Sequence, residues 1–134
     1  MSTFTTLKNK ISAYGVYADE VNMVAGQYYD GEDHEYIYTA LQIKCDTWED
    51  YDNVRKIINR YKVYAIITND IFNKCLFIVR ASEVETIRDA DRKGRAFHGA
   101  FELAYHETHD GKKAIAAGIA AVEKYITDSE QYSA

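Results

Sequence analysis

Polar and apolar residues alternate with a period of two from Tyr36 to Lys44 (YIYTALQIK), placing Ile37, Thr39, Leu41 and Ile43 on one side of an extended chain. A period of two matches the alternation of side chains across a strand, so the segment reads as one. Ser12 to Ala18 (SAYGVYA), rich in aromatic and branched residues, reads as another. Between them Gly26, Asp30 and Gly31 mark turns, and Asp30-Gly31 suits the closure of a hairpin or loop. At Asp46 the period becomes three or four. Trp48, Tyr51, Val54, Ile57, Ile58 and Tyr61 form one stripe while Glu49, Asp52, Asn53, Lys56 and Arg60 face away, which predicts an amphipathic helix. Thr47 followed by Asp50 approximates a capping box, and the acids of the first turn suit the positive end of the helix dipole.

Val63 to Thr68 (VYAIIT) and Cys75 to Arg80 (CLFIVR), joined by the polar NDIFNK, predict a hairpin, and Val84 to Ile87 a further short strand. From Phe97 two helices follow. The first packs Phe97, Ala100, Phe101 and Ala104, the second Ile115, Ile119, Val122 and Ile126, with a break at Asp110-Gly111. Gly118 in the second helix leaves room for close approach of a neighbour. The pattern predicts a layered α/β (α+β) fold, an antiparallel sheet packed by helices. A chain of 134 residues, 47% of them hydrophobic, fits one domain spanning residues 1–134.

A formal net charge of −5 opposes a sequence-independent hold on nucleic acid, which draws its strength from neutralising phosphates. The acids are too dispersed for a DNA mimic, with local clusters only at Asp30 to Glu35 and Asp46 to Asp52. The short apolar runs predict no membrane span, no secretory signal and a cytoplasmic location. Cys45 and Cys75 sit in apolar, strand-like surroundings without a C-x-x-C pair, which predicts buried free thiols. Twelve tyrosines and no proline point to a protein partner, since tyrosine supplies broad contact area at low entropic cost; packing on a sheet would also use them. Tyr28, Tyr29 and Tyr36 are the candidate binding tyrosines.

His98, Glu102, His106 and His109 follow one another at steps of four, four and three, so they share a helix face on which a divalent metal is conceivable. A solvated face carries the same residues. No Gly-rich phosphate loop follows a strand and no spacing assembles a Ser/His/Asp triad, so no cofactor is expected.

The Thr-rich start (MSTFTT), the segment YGVYADE and the end segment AFHGAFELAYHETHDGKKAIAAGIAAVEKYI resemble, in order and spacing, the subunits of the proteasome and its bacterial and phage relatives, the N-terminal nucleophile hydrolases. The resemblance implies an abbreviated proteasome-like sandwich, ring or other homo-oligomers, and a nucleophile at Ser2 or Thr3, with Asp19 as the acid that orients an active-site lysine. At that lysine's position stands Glu35, which brings negative charge where proton transfer and an oxyanion need the opposite. The oxyanion glycine is replaced around Lys44-Cys45-Asp46, and the family's turn before the helix pair survives only as His98-Gly99-Ala100. Peptide hydrolysis is therefore not expected. A catalytically degenerate relative, acting as a protein-binding regulatory or inhibitory factor of phage or bacterial type, is the first reading.

The segment from Thr6 to Val79 also resembles the phage S-adenosylmethionine lyases, through Tyr14-Gly15, Gly26 with Tyr28, Cys45, and Asn53-Val54 before a strand hairpin. That resemblance implies a ligand pocket shared between subunits and lined by Tyr28 and, with a shift, Glu35. A lyase is accordingly the second reading, and an active Ser2 or Thr3 hydrolase the third.

Overall fold

The computed structural model describes residues 4–133, with side chains through residue 131. In chain order its elements are α1 (Thr5–Ser12), β1 (Tyr17–Tyr29), β2 (Asp33–Lys44), α2 (Trp48–Arg60), β3 (Tyr64–Asp70), β4 (Cys75–Arg80), α3 (Val84–Thr108) and α4 (Gly111–Ser133). The strands form one antiparallel sheet in the order β1-β2-β4-β3, so the fold is α+β as the periodicity predicts. The chain sorts into two compact units: Met1–Met23 with Tyr38–Glu85, and Val24–Ile37 with Thr86–Ala134. Both long strands contribute to each unit. At 13 and 12 residues they are about twice the usual length, enough to enter two separate cores.

In the first unit the antiparallel register pairs Leu41 with Ile78 and Ile43 with Leu76, and all four side chains are buried. They join Leu7 and Ile11 of α1 and Tyr51, Val54, Ile57 and Ile58 of α2 in a single apolar cluster. The α2 stripe is thus the core face, except that Trp48 stays half exposed, edge-on to the Tyr51 ring and beneath the Lys74 ammonium. Thr47 caps the helix, its side chain accepting the Asp50 N–H at 3.1 Å. On β2 the buried side changes along the strand. Tyr38 and Ala40 are buried, as are Leu41 and Ile43, whereas Ile37 and Thr39 are exposed although they share parity with Leu41.

Four segments differ from the sequence expectation. Ser12 to Ala18 is not one strand: Ser12 ends α1, Tyr14 and Gly15 turn the chain with Gly15 at φ 72°, and β1 starts at Tyr17. Phe4, Leu7 and Ile11, spaced three and four apart, provide the buried face that makes the preceding residues helical. Gly26 marks no turn between strands; it lies within β1 at φ 65°. The supposed strand Val84 to Ile87 is the first turn of α3, and His98-Gly99-Ala100 lies inside that helix instead of forming a turn before it.

The reason is visible in the second unit. Facing residues of α3 at Ala90 and Gly94 are small because the β1 backbone crosses them at Gly26. A Cβ on Gly94 would stand 2.8 Å from the Gly26 Cα, and one on Gly26 would collide with the Ala90 carbonyl. The Gly26 N–H donates to Asp91 Oδ1 at 3.2 Å, so the α3 side chain ties down the backbone at the crossing. Phe97, 2% exposed, fills the next position along the face and packs on Gly118 of α4. The break between the helices falls where Asp110-Gly111 predicts it. His109 takes a positive φ of 54°, and the Asp110 carboxylate accepts the Lys112 N–H at 2.9 Å, capping α4.

Candidate ligand site

The turn at Asp30-Gly31 folds the ends of β1 and β2 together, and the hairpin end belongs to the second unit. There Tyr28 and His34 lie ring on ring, 4.6 Å between centroids and 9° between planes. His34 Nε2 is 2.9 Å from Asp30 Oδ1, which fixes the imidazole over the tyrosine. On the α3 side the Tyr28 ring meets Phe97 at 4.8 Å. Tyr28 is therefore wedged between two rings. Burial, and secondarily the Asp30 carboxylate, hold its hydroxyl in the protonated form, with Lys93 acting in the opposite sense.

A cavity of about 410 Å³ opens beside this stack. The hairpin supplies Tyr28, His34, Glu35 and Tyr36; α3 supplies Asp89 and Lys93; Val122 and Ile126 of α4 add apolar wall. The volume is in the range of small-molecule sites. Lys93 Nζ reaches Asp89 Oδ2 at 3.1 Å, one helical turn away, and the Tyr125 hydroxyl of α4 donates to Asp89 Oδ1 at 2.8 Å. Burial pushes the Asp89 carboxyl up, but the hydrogen bonds from Tyr125 and Lys93 and the charges of Lys93 and Arg92 outweigh it and hold the group below the ordinary carboxylate range. The cavity thus offers aromatic faces, the exposed Glu35 carboxylate, and a lysine whose charge is shared with Asp89.

Of the residues singled out in the sequence, Tyr28, Tyr36 and Glu35 line this cavity together. Tyr29 faces a smaller apolar cleft of about 220 Å³ with Phe97, His98, Phe101 and Ile115. Asp19, exposed on β1, belongs to the first unit and Glu35 to the second. Ser2 and Thr3 lie outside the described residues. Asp89 and Lys93 were not legible as site residues, because the run Arg88 to Arg95 alternates charge around small residues and reads as a solvated surface.

The His98, Glu102, His106 and His109 face does not assemble a metal centre. Among the described residues no three His, Cys, Asp or Glu side chains are grouped to hold an ion. Steps of four, four and three align side chains along the helix axis, so the first and last are about 16 Å apart and at most neighbours share a ligand. His98 is engaged instead with the Gln27 carbonyl, 2.7 Å from Nε2, which must therefore be its protonated nitrogen. His109 lies edge-on to Tyr105 at the end of α3. Cys45 and Cys75 are both buried and free, in keeping with their surroundings in the sequence. No described helix is long and apolar enough to cross a membrane. Compared with protein-family models, with curated proteins and with solved structures, the chain matches none.

Proposed function

We propose that this chain binds S-adenosylmethionine in the cavity of its second unit and consumes it, as the resemblance to the phage lyases implies. The observation that carries the reading is that Tyr28 and Glu35, the residues for which that resemblance implies a ligand pocket, line one cavity of about 410 Å³. Their chemistry suits the ligand. A sulfonium is a cation without hydrogen-bond donors, so it is recognised by the negative face of an aromatic ring and by a nearby carboxylate. Tyr36 and His34, the latter held in place by its stack on Tyr28, supply the aromatic surface and Glu35 the charge. Isothermal titration with S-adenosylmethionine, followed by chromatography of the incubated ligand, tests the proposal. Binding and loss of the ligand are expected, with Glu35→Gln and Tyr28→Ala each weakening binding by about tenfold. Undiminished binding in both variants, or none in the parent protein, would overturn it.

A second reading, a regulatory factor that binds another protein, is favoured by a different observation. At the turn between β3 and β4, Phe72 is 96% exposed and its neighbour Ile71 is 57% exposed. Expression in a bacterial host separates the two. A protein-binding factor loses its cellular effect on Phe72→Asp and keeps it on Glu35→Gln; a lyase does the reverse.

A further inference from the structure

We infer that Lys93, held in place by Asp89 and Tyr125, is the anchor for the carboxylate of a zwitterionic ligand whose cationic centre lies among Tyr28, Tyr36 and Glu35. The inference rests on the cavity being the ligand site, and it concerns α3 and α4, which the lyase resemblance, ending at Val79, does not cover. Three observations converge on Lys93. It lines the same cavity as Glu35 and the aromatic residues. Its ammonium is drawn to Asp89 at 3.1 Å, and Asp89 is itself fixed from the other helix by the Tyr125 hydroxyl at 2.8 Å. A lysine side chain has four rotatable bonds, and ordering its end costs free energy that an isolated surface lysine does not recover. Here the ordering is already supplied by a partner that is locked in turn.

The donor count leaves a place for the ligand. An ammonium carries three N–H donors, and the single Asp89 oxygen at 3.1 Å occupies one of them. A ligand carboxylate accepting another would make a charge-assisted bond in a partly closed cavity, where it is stronger than in bulk water. Asp89 accepts from Tyr125 through its other oxygen, so the carboxylate stays in place whether or not Lys93 turns a further donor to the ligand. The same cavity is also lined by the Glu35 carboxylate and by Tyr36, which favour a cation. A cavity that offers both signs suits an α-amino-acid-like or betaine-like ligand.

The test uses two probes that share the sulfonium and differ in one carboxylate, S-adenosylmethionine and its decarboxylated form, titrated calorimetrically into the 134-residue chain. Removing the carboxylate adds net positive charge, which by itself strengthens attraction to Glu35. A weaker affinity for the decarboxylated probe therefore reports a lost contact with a cation. The parent protein is expected to bind that probe about tenfold more weakly. Lys93→Met closes the gap by weakening S-adenosylmethionine alone, Lys93→Arg retains it, and Tyr125→Phe narrows it, with circular dichroism confirming that each variant is folded. Equal affinities in the parent, or a gap unchanged in Lys93→Met, overturn the role of Lys93 and leave the cavity reading standing. Failure of both probes to bind overturns the cavity reading and this inference with it.

Discussion

Asp89 is subject to opposing influences whose balance sets a pH dependence. Burial favours its protonated form, while Tyr125 and Lys93 favour the carboxylate and prevail, so its folded pKa lies below that of the unfolded chain. A depressed carboxyl stabilises the fold above the unfolded value, near 3.9, and that contribution is lost as the pH falls through the folded pKa. Urea denaturation at pH 6 is therefore expected to find Asp89→Asn less stable than the parent, and at pH 2 to find the two alike. A difference of equal size at both pH values would mean that the carboxylate's charge is not what matters. Cys45 behaves oppositely. Burial, then the charges of Asp50, Cys75 and Asp46, push its thiol up to about 11. At pH 8 only about one molecule in a thousand carries the reactive thiolate. Native protein should resist iodoacetamide at Cys45 while denatured protein is alkylated within minutes, as peptide mass mapping would show; native labelling at Cys45 would contradict its burial.

At the scale of elements, what could be read from the sequence depended on whether burial was achieved by large residues or small ones. The α2 helix was legible to its cap, because Tyr51, Val54, Ile57 and Ile58 are large and its Thr47 cap uses standard chemistry. The first half of α3 was not, since between Ile87 and Phe97 its inward face is made of the small Ala90 and Gly94, which interrupt any hydrophobic stripe. The same feature hid half of the cavity lining: Tyr28 and Glu35 are candidates from the sequence, whereas Asp89 and Lys93 lie on a helix whose start reads as a strand. The small residues carry a prediction of their own. Gly26→Ala imposes both a left-handed backbone on a residue with a Cβ and a clash with the Ala90 carbonyl, and should cost about 3 kcal/mol or more. Gly15→Ala is the control, as it shares the positive φ but meets nothing within 4 Å, so only the backbone cost of about 1 kcal/mol applies. Chemical denaturation of both variants measures the difference; equal losses would show that the close approach to α3 contributes nothing.

Across the whole molecule, two compact units share two strands without interruption: β1 passes from one to the other at Met23-Val24 and β2 returns at Ile37-Tyr38. A strand cannot lose its geometry at one end without loosening the ladder beside it, so unfolding of either unit should propagate along the hairpin. The chain has a single tryptophan, and Trp48 sits in the first unit against Tyr51. Its fluorescence therefore reports that unit alone, while far-ultraviolet circular dichroism also reports the helices of the second. Phe97→Ala removes a ring 2% exposed from the second unit, a change worth about 3–5 kcal/mol in a well-packed core. If the shared strands couple the units, the Trp48 transition moves to lower denaturant together with the dichroism transition, although Phe97 belongs to the other unit. A Trp48 midpoint left unchanged, beside a dichroism curve split into two steps, would mean that the hairpin is a hinge between independently folding bodies and that the ligand site can open while the first core remains intact.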